Sequence, residues 1–221
     1  MLTEAKAPKS GFPSGWNGVW LPGGVGKRRP FGTVIAGNQV ALRRTEFRRR
    51  KTKSEDKRSN PATTFCVDAI RGGDVVFRIF GHYGLMLESM NGLDSLAQLN
   101  NEIDDVISEY GETKLVVAGD FNLWPDYVTD GFKQRGLTSV TDLRDSFPKL
   151  DKPLNGTRIW THKNGPKQSD GTRQELDFIF MSPDLVDQVD NTKGGVGDFP
   201  DAWEMSDHAP IMVDLKIDFN S

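Results

Sequence analysis

A single cysteine, Cys66, stands among 221 residues, which rules out an internal disulfide and argues against a thiolate zinc site. It reads most simply as a buried strand residue. No run of about 18 apolar residues is present to form a membrane-spanning helix, so a soluble chain is expected. The opening Met1-Leu2-Thr3-Glu4-Ala5-Lys6 lacks the basic start and apolar stretch of a secretory signal, which makes a cytoplasmic location the default expectation. Internal repeats, low-complexity tracts and long Pro/Gly/Ser linkers are missing, so residues 1–221 read as one domain. Strong net charge is missing too: at −3 the chain has no overall cationic field of the kind that dominates nonspecific nucleic-acid binding. What it does have is large apolar surface: thirteen Phe and five Trp, with 36% hydrophobic residues, supply a core and exclude intrinsic disorder.

The charge that is present is unevenly spread. Between residues 43 and 58, nine basic side chains, among them Arg48, Arg49 and Arg50, face three acidic ones, a local charge of +6. This window lacks apolar periodicity and reads as a solvated stretch or extended hairpin able to follow a nucleic-acid backbone. Before it, residues 8–30 hold Pro8, Pro13, Pro22, Pro30 and several glycines, which excludes a helix or central strand and predicts a structured loop packing Trp16 and Trp20. Residues 31–35 and 39–42 read as two strands of a meander. Residues 63–70 and 75–80, joined by Arg71-Gly72-Gly73-Asp74, predict a β-hairpin. Leu93, Leu96, Leu99, Ile103, Val106 and Ile107 recur at steps of three and four, a helix stopped by Gly111. A buried strand follows at 115–118, with later strands at 158–161, 176–181 and 211–217. Strands outnumber helices, and hairpins mix with strand-helix-strand units, which favours a two-sheet α/β sandwich over a doubly wound parallel sheet.

Three strand ends carry chemistry. In Gly119-Asp120-Phe121-Asn122, Asp120 and Asn122 straddle an aromatic residue and share one side of extended backbone. In Leu176-Asp177-Phe178-Ile179-Phe180, Asp177 sits in an apolar strand, where a carboxylate is costly unless paired. In Ser206-Asp207-His208-Ala209-Pro210, a carboxylate and an imidazole precede the last strand. Each also has an ordinary reading: Asp120 as an Asx-turn residue, Asn122 as a turn former, Asp177 on a solvent-facing edge strand, Asp207 as a helix cap or loop residue. His162, in Trp160-Thr161-His162-Lys163-Asn164-Gly165, reads as an exposed residue of a polar turn.

In this order the segments resemble the endonuclease/exonuclease/phosphatase superfamily, the deoxyribonuclease I-like proteins, whose hallmarks are a Gly-Asp-Phe-Asn strand end, a Leu/Ile-Asp-aromatic strand and a Ser-Asp-His segment. The similarity runs over residues 4–215. It implies a four-layered α/β sandwich of two packed mixed β-sheets flanked by helices, and divalent-metal-dependent phosphoester hydrolysis with Mg²⁺ or Mn²⁺. By resemblance Glu4 and Asp207 become metal ligands, and His208 becomes the imidazole facing the scissile phosphate with Asp177 as its buried partner. Asp120 orients or deprotonates the attacking water, and Asn122 donates to a phosphate oxygen. His82 falls where such proteins place a histidine after the central strand, with Tyr83 as an alternative phosphate contact and ordinary core packing as the other reading of either. Hard oxygen ligands plus an imidazole are a sufficient kit for that hydrolysis, and a carboxylate beside an imidazole fixes its orientation and favours the imidazolium donor. One departure stands out: such proteins carry a strand and a helix, roughly 30 residues, ahead of the glutamate. The domain is therefore expected to be N-terminally incomplete, with a partner chain or a second copy completing the sheet.

The leading expectation is a nuclease acting on DNA or RNA. The alternatives are a small-molecule or lipid phosphoesterase of the same superfamily, and a degenerate binding module without activity. Gly171-Thr172-Arg173-Gln174 departs from the Gly-Trp-Arg usual in abasic-site enzymes, which argues against that specificity.

Overall fold

The structure is a computed structural model. It describes residues 2–6, 9–22, 31–38, 40–48, 64–84, 92–111, 113–139, 161–164, 172–190, 195–196, 207–208 and 211–216. Residues 49–58 of the basic window, Arg49 and Arg50 included, lie outside this set, as do residues 158–160 and Ser206. The chain folds as two compact units, Met1–Asn122 and Leu123–Ser221.

In the first unit, β1 (Leu2–Lys6), β2 (Asn17–Pro22) and β3 (Phe31–Gly37) form an antiparallel sheet in the order β1-β3-β2. Part of the expected proline-rich loop is thus a strand. The proline argument survives in altered form, because β2 is an edge strand that ends at Pro22, where a missing N–H costs little. The expected meander is corrected as well: β3 belongs to this sheet, whereas β4 (Ala41–Arg44) pairs with β5 (Thr64–Arg71) in a second one. Asn17 makes that switch possible. Its side-chain amide donates to the Gly37 and Val40 carbonyls and its oxygen accepts from the Leu42 N–H, so the backbone between the sheets keeps its hydrogen bonds.

The second sheet continues through β6 (Asp74–Tyr83) to β7 (Leu115–Asp120). β4, β5 and β6 run antiparallel, β6 and β7 parallel, which makes it a mixed sheet. The β5–β6 hairpin turns as expected at Gly72 and Gly73, both at positive φ, the primed geometry that matches strand twist. Helix α1 (Gly92–Tyr110) is the crossover that returns the chain parallel, and it packs against β5. Its buried stripe is Ser95, Leu96, Leu99, Glu102, Ile103 and Val106; Leu93 and Ile107, expected on that face, flank it and are exposed. Leu21 and Ile35 from one sheet meet Phe65 and Val67 from the other, with Val19, Leu42 and Ile79 packed around them. Cys66 is buried on β5 as expected, and burial, with minor help from the Asp68 and Glu102 charges, pushes its thiol up to about 12. It is therefore an inert apolar residue.

The second unit opens with α2 (Pro125–Lys133), whose proline occupies the first turn, where its missing N–H leaves no bond unmade. β8 (Thr138–Ser139) pairs with β11 (Asp177–Met181), and Phe132 of α2 stacks on Phe180 of β11 at 4.4 Å. β9 (His162–Asn164) and β10 (Thr172–Gln174) form an antiparallel pair that starts one residue after the expected strand at 158–161 ends. After α3 (Pro183–Val186), β12 (Gly195–Val196) pairs with β13 (Ile211–Met212). The expected strand at 211–217 is regular over those two residues, with an isolated Val189–Leu215 bridge beyond them. Among the described residues no helix is long and apolar enough to cross a membrane.

Candidate functional site

In the first unit the parallel pairing of β6 and β7 sets His82 opposite Gly119 and Tyr83 opposite Asp120. The backbones approach closely here: a Cβ on Gly119, whose φ is 155°, would lie 1.9 Å from the His82 carbonyl oxygen. Glycine is required at that position of the Gly-Asp-Phe-Asn segment. Asp120, the last residue of β7, is buried, and its Oδ1 accepts the Asn122 backbone N–H at 2.9 Å, an Asx turn. Asn122, at φ 50°, donates its Nδ2 hydrogens to Gly84 O at 2.7 Å and to Asp120 Oδ2 at 3.1 Å. Both hydrogens are engaged within the strand end. Asn122 therefore holds the Asp120 carboxylate in place.

For His82 the structure favours core packing over a phosphate contact. The residue is fully enclosed, neither ring nitrogen has a hydrogen-bond partner among the described residues, and its ring lies 4.7 Å from that of Phe121. Burial alone pushes its pKa down to about 3, so the ring is neutral and sits in the core rather than facing a phosphate. Tyr83 is half-buried at the end of β6, and Glu4 lies on β1.

The second unit brings Asp177, Asp207 and His208 together. His208 Nδ1 lies 2.8 Å from Asp177 Oδ2, the pairing the sequence predicts, and both side chains are largely covered. The Asp177 strand start is itself held: Thr161 Oγ1, fully buried, accepts the backbone N–H groups of Leu176 and Asp177, each at 3.0 Å. Asp207 is exposed, and its carbonyl oxygen accepts the Lys163 N–H at 2.8 Å. This bond and an isolated bridge between His162 and His208 seat the Asp207–His208 segment beside β9.

His162 is the residue that sequence reasoning missed. It is a strand residue, not part of an exposed turn, and its side chain is only 14% exposed. Its ring stands 4.6 Å from that of His208, Nε2 lies 3.9 Å from Asp207 Oδ2, and Nδ1 lies 3.2 Å from Gln174 Oε1. Asn164-Gly165 drew the turn too early. The second half of the pair, Thr172-Arg173-Gln174, was the signal that the strand runs on through His162.

Of the basic window, Arg43 is engaged: its guanidinium lies 3.1 Å from Asp68, which also accepts from Arg78 Nε at 3.0 Å and Thr45 Oγ1 at 2.8 Å. Arg44 and Arg48 are exposed.

No protein-family model matches the sequence, and neither does any curated protein. Solved structures do match the fold. The endonuclease domain of TRAS1, a telomere-specific non-LTR retrotransposon, aligns over 92% of this chain and 81% of its own, with a TM-score of 0.56 and 14% identity. The chain has the endonuclease/exonuclease/phosphatase fold. The same α/β-sandwich fold links it to a mannosyl-6-phosphatase of Bacteroides thetaiotaomicron, with a TM-score of 0.57, 19% identity and coverage of 91% and 77% of the two chains. An endonuclease/exonuclease/phosphatase family protein from Bacteroides thetaiotaomicron aligns over 90% of this chain and 74% of its own, with a TM-score of 0.52 and 19% identity.

Proposed function

We propose that this chain is a divalent-metal-dependent phosphodiester hydrolase acting on nucleic acid. The observation that carries the reading is the 2.8 Å pairing of His208 Nδ1 with Asp177, directly beside the exposed carboxylate of Asp207. Phosphoester hydrolysis needs a positioned water, neutralisation of the phosphoryl oxygens and help for the departing alkoxide. Asp177 accepts from Nδ1, which makes Nε2 the nitrogen His208 presents to the phosphate. Asp120, its two oxygens held by Asn122, takes the proton of the attacking water. Asp207 and Glu4 are the metal ligands of the proposal. An exposed carboxylate suits a hard cation that keeps part of its water shell, as Mg²⁺ and Mn²⁺ do. Such an ion supplies Lewis-acid stabilisation of developing charge. The TRAS1 endonuclease domain supports nucleic acid as substrate, and the +6 window at residues 43–58 supplies phosphate-binding charge.

The test is Mg²⁺-dependent hydrolysis of plasmid DNA, single-stranded DNA, RNA, bis-p-nitrophenyl phosphate and p-nitrophenyl phosphate by the full chain. We expect cleavage of at least one polynucleotide and of the small diester, abolished by EDTA and by Asp207→Ala. Turnover of the monoester alone would move the assignment to a phosphatase, and no turnover of any substrate would leave a binding module.

A further inference from the structure

We propose that His162, Asp207 and His208 form a binding site for a borderline transition-metal ion of the Zn²⁺ class, distinct in chemistry from the hard Mg²⁺ of the hydrolytic reading. The three residues each offer a ligand atom, and these atoms lie within 4.8 Å of one another, all in the second compact unit. Across a tetrahedral zinc ion, neighbouring ligand atoms stand roughly 3.3 Å apart. The remaining gap is about 1.5 Å at most: the Asp207 side chain, 68% exposed, can close its part by rotating, and the two rings close theirs by small turns about χ2. His162 Nε2 and Asp207 Oδ2 are already at 3.9 Å.

The second observation is what surrounds the two rings. His208 Nδ1 is held by Asp177 Oδ2 at 2.8 Å and His162 Nδ1 faces Gln174 Oε1 at 3.2 Å. An oxygen acceptor at Nδ1 fixes the tautomer that carries its lone pair on Nε2, which is the arrangement around histidines that bind metal. Both imidazoles have it. Backbone pairing makes the placement rigid: Gln174 is in register with His162 on the β9–β10 pair, and the His162–His208 bridge sets the two rings side by side. Two imidazoles and one carboxylate match zinc, cobalt or nickel, whereas Mg²⁺ prefers an all-oxygen set.

His208 and Asp207 belong to both readings, so the two uses compete: an ion on Nε2 blocks that nitrogen from the phosphate, and it takes the Asp207 carboxylate from Mg²⁺. Occupancy by Zn²⁺ should therefore inhibit Mg²⁺-dependent hydrolysis. That consequence rests on the proposed function; the binding itself does not.

The experiment is titration of the metal-free full chain with Co²⁺, read by its visible absorption, followed by displacement with Zn²⁺ and with Mg²⁺. One equivalent of Co²⁺ should give the strong bands of a tetrahedral or five-coordinate site, lost on adding Zn²⁺ and retained in excess Mg²⁺. Asp207→Asn changes an exposed side chain and leaves folding alone, so it is the primary variant; it and His162→Ala should each weaken binding at least tenfold. Gln174→Ala should weaken it by about 10- to 100-fold through loss of ring orientation. Absence of the bands, or equal affinity in Asp207→Asn and His162→Ala, would overturn the site. Metal binding without hydrolysis of any substrate would uphold it while removing the hydrolase reading, and hydrolysis without Co²⁺ binding would do the reverse.

Discussion

At the scale of single residues, two histidines of the fold meet opposite fates, set by what lies within reach of Nδ1. His208 has Asp177 at 2.8 Å and can work as a proton donor. In the proposed hydrolysis, His208→Ala should lower kcat by about 10²- to 10⁴-fold, the usual worth of a positioned acid or base. Asp177→Ala should lose less, because the imidazole survives without its orientation; steady-state kinetics on the small diester checks both. His82 has no hydrogen-bond partner among the described residues and is neutral in the folded chain, its pKa lowered from 6.5 to about 3 by burial. Below pH 6.5 the unfolded chain takes up a proton that the native ring refuses, so acid favours unfolding. Relative to His82→Leu, the parent should lose about 1.4 kcal/mol of stability for each pH unit from 6.5 toward 3, and nothing above that window. Urea unfolding of both proteins across that range reads the slope, and parallel curves would refute it. A carboxylate in an apolar strand needs a partner, and the family resemblance is what pointed to His208 as the partner of Asp177. The sequence could not show that His82 is enclosed, since the residues that cover a ring come from distant segments.

At the scale of elements, what was legible is what local chemistry determines. The Gly72-Gly73 turn imposes its own hairpin, and α1 follows from apolar spacing with Gly111, at φ 74°, as its stop. Membership of a sheet is not local. Nothing between residues 31 and 44 announces that β3 and β4 part company; the bonds of the Asn17 side chain, from 20 or more residues away, make the break tolerable. The trace of β9 was lost for the same reason, because the strand that pairs with it, β10, begins only at Thr172. Gly119 shows how one element constrains another. Its requirement comes from the parallel neighbour β6, so Gly119→Ala must push β7 away from the His82 carbonyl or distort the backbone before Asp120. A cost of about 3 kcal/mol is expected from such overpacking. Thermal denaturation measures it, and a variant as stable as the parent would mean that the two strands separate without cost.

At the scale of the whole molecule, charge decides which substrates can approach. The net charge is −3, and the second unit adds the carboxylates of Asp177 and Asp207 beside His208, so a polyanion gains nothing from the average field. In the proposed hydrolysis a bound cation would offset the charge near His208. Long-range attraction must come from elsewhere, and residues 43–58 hold its densest source. Part of that source is committed to structure: Arg43 is tied to Asp68, which also pairs with the buried Arg78, so Arg43 is a poor place to test binding. Arg48 is exposed, and Arg49, Arg50 and Lys51 follow it in sequence. Changing these four to Ser should weaken binding of duplex DNA and flatten the dependence of log K on log salt by about 0.9 for every phosphate contact removed. The slope separates this from damage to the fold, since a destabilised chain loses affinity equally at all salt concentrations, whereas lost phosphate contacts cost most at low salt. Titrations at several salt concentrations in Ca²⁺, a hard ion used in place of Mg²⁺ to limit turnover, provide the measurement. Equal affinity and equal slope in parent and variant would mean that residues 48–51 make no phosphate contacts, and that the polynucleotide reaches His208 by another route.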